Sequence, residues 1–149
     1  MTDPKSKPVA GPKLPAYGPS ITLAQAKKVA EAALAPAYEN GWTVVIAIVD
    51  TAGHMVYLEK MDQTQVGSVG VAEDKARSAA IFKRPTKMFH ERLARGGDGM
   101  IVLGLKGATP VEGGLPIVVD GKLIGALGVS GGSSAEDEVC AEAGASALK

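Results

Sequence analysis

At 149 residues the chain has the length of one domain, and a chain of that size buries roughly two thirds of its unfolded surface without needing a metal or disulfide. Sixteen basic residues balance sixteen acidic ones, which gives no electrostatic ground for nucleic acid or an anionic membrane as the main partner; a small, roughly neutral ligand or another protein is expected. Hydrophobic residues make up 46% but aromatics only 4%, so the core must be assembled from Ala, Val, Leu and Ile, a set suited to close packing of helix on sheet.

Residues 1–20 hold Pro4, Pro8, Pro12, Pro15 and Pro19 among Lys5, Lys7 and Lys13, the composition of a flexible, extended arm and not of a secretory signal. No segment reaches the ~20 apolar residues that span a bilayer. A soluble, cytoplasmic protein is expected, with residues 21–149 as one folded domain. Thr22 precedes the stripe Leu23, Ala26, Val29, Ala30, Ala33 and Leu34, and Gln25 completes a capping box, so the first helix starts near residue 22. Pro36 should kink or end it; failing that, Asn40 and Gly41 supply the stop. Residues 42–49 then form a buried strand, Asp50 to Gly53 a turn, and Met55 to Lys60 the return strand. A second helix covers residues 68–83, with Ala72, Ala76, Ala79, Ala80 and Phe82 on its apolar side. Pro85 breaks it, a short helix follows over 86–95 before Gly96 and Gly97, and residues 100–105 are a strand candidate. Residues 115–119 and 122–129 are β-rich runs joined by Asp120-Gly121, the pair a type I′ hairpin asks for. Ser133 and Glu136 open a last helix. Hairpins imply an antiparallel sheet and grouped helices an α+β domain.

Three stretches carry a family resemblance: GWTVVIAIVDTAGHMVYLEKMD, AEDKARSAAIF and GGLPIVVDGKLIGALGVSGGSSAEDEVCAEAG. They resemble the GlcG-like proteins, the HbpS-like haem-binding proteins and the C-terminal domain of PduO-type adenosyltransferases, over about residues 20–149. The resemblance implies a profilin-like antiparallel sheet flanked by helices, assembly as a homo-oligomer, and haem as a cofactor or ligand. It also implies haem-linked sensing or degradation as the wider role. The first helix here contains no His, although that helix carries an axial haem ligand in some PduO-type domains.

Several residues are candidates for chemistry. Gly128-Val129-Ser130-Gly131-Gly132 matches GxSxG, but no His follows Ser130, so the glycines are read as turn-formers and not as a nucleophile elbow. The same turn, leading into the last helix, could hold an anion with Ser133 and Ser134, unless Glu136, Asp137 and the capping serine already satisfy it. Lys75 and Arg77 could grip an acidic ligand, with Lys75 as a possible base or Schiff-base amine, or could belong to a solvated helix face. Glu112 and Asp137 are the candidate proton carriers of an enzyme acting on a small organic acid or aromatic catabolite. Gly113 and Gly114 permit close approach of backbone to a flat ligand, and Thr109 is a candidate contact that the resemblance relates to a haem-contacting threonine of HbpS-like proteins. His54 or His90 could ligate haem iron, with Met61 or Met88 as second ligand. Cys140 has no partner for a disulfide or a CxxC pair, His90-Glu91 lacks the second His of a zincin, and no Walker A, dinucleotide or EF-hand motif occurs, so no protein-borne metal site is expected. The sequence therefore leaves three function classes open: a haem or small-molecule binder, an enzyme on a small acid, and an assembly module without a ligand.

Overall fold

A strand that is apolar at every position needs cover on both faces, and the run at residues 44–49 is placed where it receives both. The computed structural model describes residues 8–148; Pro4, Lys5 and Lys7 of the predicted arm lie outside them. The elements are β1 (Ala16–Tyr17), α1 (Leu23–Asn40), β2 (Val45–Val49), β3 (Met55–Lys60), α2 (Ser68–Ile81), α3 (Thr86–Ala94), a 3-10 helix (Gly97–Gly104), β4 (Gly114–Val119), β5 (Lys122–Ser130) and α4 (Ser134–Ala145). The sheet is five-stranded. Antiparallel neighbours run β4, β5, β2, β3, and β1 adds a short parallel pairing to Lys122 and Leu123 at the start of β5.

Alternation along β2 divides the core. Val44, Ile46 and Ile48 face α1 and α4 together with Leu127 and Val129 of β5. Val45, Ala47 and Val49 face α2, where Ala72, Ala76, Ala79 and Ala80 form the opposing stripe with Ala126. The result is the expected α+β layering, one helix on one face of the sheet and two on the other. Small residues decide how close α2 comes: a Cβ at Gly128 of β5 would overlap the backbone of Ala72 and Ala76.

Both capping boxes form, Thr22 with Gln25 and Ser133 with Glu136. Asp120 and Gly121 take φ of 51° and 74°, the left-handed pair of a type I′ turn. In the first hairpin, Asp50 accepts from the N–H groups of Ala52 and His54, each at 2.9 Å, so its side chain shapes the turn.

Four details differ from the sequence expectations. α1 runs through Pro36 and stops at Gly41 (φ 72°); Pro36 is only half-buried, and burial of Ala33, Leu34 and Ala37 around it keeps the helix going at the cost of one backbone bond. α2 ends at Ile81, two residues early, because Lys83 turns left-handed (φ 55°) to enter Pro85. Residues 100–105 are not a strand: residues 100–104 lie in the 3-10 helix, which packs on α3, and Leu105 caps its end; only Val102 of the apolar run is buried, and Met100, Ile101 and Leu103 are exposed. A short apolar run has no periodicity to tell the two apart. Finally, part of the arm joins the sheet as β1, held by the Tyr17 hydroxyl donating to the Ala80 carbonyl at 2.8 Å and by Lys83 lying 4.3 Å over the Tyr17 ring.

Candidate functional site

The glycine bend before the second hairpin is filled by the protein's own Lys75. That residue lies in the alanine stripe of α2, and its side chain is 1% exposed. A buried ammonium must be paired and hydrogen-bonded to be tolerated. Lys75 Nζ donates to the Val129 carbonyl at 2.8 Å and to Asp137 Oδ2 at 3.0 Å. The other Asp137 oxygen accepts the Gly132 N–H at 2.9 Å. Next along α4, Glu138 Oε2 accepts the Gly113 N–H at 2.8 Å, and Thr86 Oγ1 accepts the Gly114 N–H at 2.9 Å. Among the described residues no buried side-chain polar atom is left without a partner. Burial pushes the Asp137 carboxyl above its ordinary value of 3.8, while Lys75 and the Gly132 N–H pull it down. Glu138 is likewise raised, by burial first, with the Gly113 N–H opposing.

This network joins α2, α3, β4, β5 and α4, and it leaves Lys75 and Asp137 no access to a substrate. Gly113 and Gly114 do allow close approach, but of α2: a Cβ at Gly113 would stand 3.0 Å from Lys75 Nζ, and one at Gly114 would stand 2.5 Å from the Lys75 carbonyl oxygen. The N-terminus of α4, considered for an external anion, takes the Asp137 carboxylate in that place, with Ser133 and Glu136 capping each other. Ser130 is the last residue of β5, paired with Val45 and buried. Burial pushes the Cys140 thiol up to about 11, which keeps it protonated and unreactive. Glu112 is half-buried in the loop that leads to β4.

Arg77 has the opposite setting. It lies on the outer face of α2 and lines a cleft of about 470 Å³ with Asp74, Ile81, Lys106, Gly107, Ala108 and Thr109. Thr109 closes one side: its N–H donates to Ser78 Oγ at 3.1 Å and its hydroxyl to the Asp74 carbonyl at 3.3 Å, which fixes the 106–109 loop on the helix. On the other side Gly53 of the β2–β3 turn packs against the Arg77 stem, where a Cβ would stand 2.9 Å from Arg77 Cγ. His54 is the next residue, with its side chain 82% exposed and Nδ1 3.8 Å from Asp50. The structure thus brings Arg77, Thr109 and the His54 turn to one side of α2, and Lys75, Asp137, Gly113 and Gly114 to the other. His90 is exposed on α3 and does not line the Arg77 cleft. Of the two methionines, Met61 Sδ accepts the Val44 N–H at 3.4 Å and packs on the core, and Met88 lines a separate hollow on α3. Lys106, which the sequence analysis did not single out, belongs to the cleft; as a loop residue it has no periodic signal to find it by. Among the described residues no group of three or more His, Cys, Asp or Glu is placed to hold a metal ion, and no helix is long and apolar enough to cross a membrane.

The family described as "Haem degrading protein HbpS-like" matches residues 21–146. Protein GlcG of Escherichia coli K12 is 40% identical over 94 residues, 63% of this chain and 69% of that protein. The crystal structure of HbpS is similar with a TM-score of 0.80 and 32% identity, over 89% of this chain and 92% of that one. The crystal structure of a PduOC:heme complex is similar with a TM-score of 0.78 and 26% identity, over 87% of this chain and 96% of that one.

Proposed function

Because the chain belongs to the HbpS-like family, we propose that it binds haem, or a related flat acidic small molecule, in the cleft between α2 and the 106–109 loop. One observation carries the reading: two cations, Arg77 and Lys106, stand beside Ile81 and Ala108 in a space of about 470 Å³. That volume falls in the ~300–1,000 Å³ usual for small-molecule sites. The cations suit the carboxylate arms of a tetrapyrrole and the aliphatic surface suits one edge of its ring. The cleft lining itself has no imidazole, thiol or thioether, so an axial ligand would come from His54 on the adjoining turn. Haem, when bound, supplies the iron chemistry; this chain's residues hold its acid groups and shield one edge from water. The solved haem complex of PduOC, a relative at 26% identity, supports this choice of ligand. The competing reading, acid–base catalysis by Lys75 or Asp137, is disfavoured because both side chains are sealed in the core.

Titration with hemin, followed by the Soret band, tests the proposal. A saturable shift is expected for the wild type. The Arg77→Gln/Lys106→Gln variant should bind about tenfold more weakly, the loss of charge-assisted contacts to carboxylate, with an unchanged melting temperature. No Soret shift in the wild type, or an unaltered titration in the double variant, would overturn it.

A further inference from the structure

Residues 83–95 break the charge balance of the chain: Lys83, Arg84, Lys87, Arg92 and Arg95 stand against Glu91 alone. Helical spacing puts Met88, Glu91, Arg92 and Arg95 on one side of α3 and its end. Arg84, just before α3, is brought to the same side. Its Nε donates to the Phe82 carbonyl at 2.9 Å, and its guanidinium carbon lies 5.8 Å from the centre of the Phe89 ring. With Phe89 and Pro12 of the arm these residues enclose a hollow of about 250 Å³. Among the described residues none of the three arginines forms an ion pair, with Glu91 or any other carboxylate. The dipole of α3 accounts for cations at its C-terminal end, hence for Arg92 and Arg95. It does not account for Arg84 at the opposite end, nor for the hollow.

We propose that this hollow is a second binding site, separate from the α2 cleft, for a small organic dianion: a dicarboxylate or a phosphate monoester. Guanidinium forks match the paired oxygens of both groups. Three guanidiniums less the Glu91 carboxylate leave two net positive charges, the complement of a dianion. Phe89, 3% exposed and set edge-on to Phe82 at 5.3 Å, together with Met88 supplies an apolar wall for the carbon skeleton. The volume lies below the ~300 Å³ at which drug-sized sites begin, which excludes a tetrapyrrole and sets this ligand apart from the one proposed for the cleft.

Isothermal titration of the full chain at low salt, with succinate and phenyl phosphate as probes and dimethyl succinate as the neutral control, tests the site. The dianions should bind, the ester should not, and added salt should weaken binding. Arg92→Gln/Arg95→Gln changes two exposed residues and should weaken binding at least about tenfold, while Lys27→Gln/Lys28→Gln on the exposed side of α1 removes the same charge and should change it less than about twofold. Binding of only one dianion supports the site and names its source. Heat from neither dianion, binding of the ester, equal weakening in the α1 control, or a preference for phosphatidylserine vesicles over both small dianions would overturn the proposal.

Discussion

Lys75 and Arg77 stand two residues apart on α2, about 200° apart around its axis, so the sheet encloses one and water reaches the other. Inside, Lys75 shares its protons between the Val129 carbonyl and Asp137, and each partner is itself tied to another element. Outside, Arg77 faces a cleft and touches Gly53 only with its stem. Equal charge thus has two unlike uses. A sealed cation is committed to the fold, because its desolvation must be offset by fixed partners; an open one keeps its hydrogen-bonding capacity for a ligand.

The contrast is easiest to break by removing each charge in turn. Lys75→Met keeps much of the side-chain volume but leaves the Asp137 carboxylate and the Val129 carbonyl buried without their donor. Losing one partner of a buried pair costs about 3–5 kcal/mol, and solvent screening offers little relief where the side chains are 1% and 4% exposed. Arg77→Met should change stability by less than about 0.5 kcal/mol. Urea unfolding of both variants measures the gap. Equal costs would mean that the Lys75–Asp137 pair does not hold the fold.

Glycines on the two faces of α2 sharpen the same distinction. A Cβ at Gly128 would meet the backbone of α2, which cannot rotate out of the way as a side chain can, whereas Gly70 on the outer face has no atom within 4 Å of its Cβ position. Gly128→Ala should therefore destabilise by about 1–3 kcal/mol through overpacking, more than the ~0.4–1 kcal/mol an alanine gains by stiffening the unfolded chain. Gly70→Ala should be stabilising by up to about 1 kcal/mol, the difference in helix propensity. Thermal melts decide it, and a neutral Gly128→Ala would show that α2 does not need its close approach to the sheet.

Much of this architecture is written in local pattern. Asp120-Gly121, the two capping boxes and the alanine stripe of α2 each act over a few residues, and each forms as the sequence implies. Lys75 on a solvated helix face, one of the sequence expectations for it, does not hold: its side chain is 1% exposed, and its place three residues after Ala72 and four before Ala79 is the spacing of the apolar stripe. What no local pattern holds is its partner, since Asp137 lies 62 residues away and reads on its own as a helix-start carboxylate. The cleft was half legible, through Arg77 and Thr109; Lys106 and the Gly53 contact depend on where two loops come to rest. β1 was hidden because two residues among prolines give no alternation to detect.

The smallest effect expected is electrostatic and concerns Glu138, beside the sealed pair. Burial raises its carboxyl above the ordinary value of 4.5; Glu142 and Glu112 raise it further, and the Gly113 N–H and Lys87 oppose. A carboxyl raised in the folded state holds its proton where the unfolded chain has already lost it, so its contribution to stability is present below the ordinary value and is lost as pH rises through the raised one. Glu138→Gln keeps an oxygen to accept the Gly113 N–H and removes the ionisation. The stability of wild type relative to this variant should thus decline as pH climbs from 4.5 through the raised value, and be level on either side. Asp137, raised in the same direction, is present in both proteins and to a first approximation cancels from the difference. Urea melts of the two proteins across that window measure it; parallel profiles would mean that Glu138 titrates in the fold as it does in the unfolded chain, and that the seal around the glycine bend is wetter than its hydrogen bonds imply.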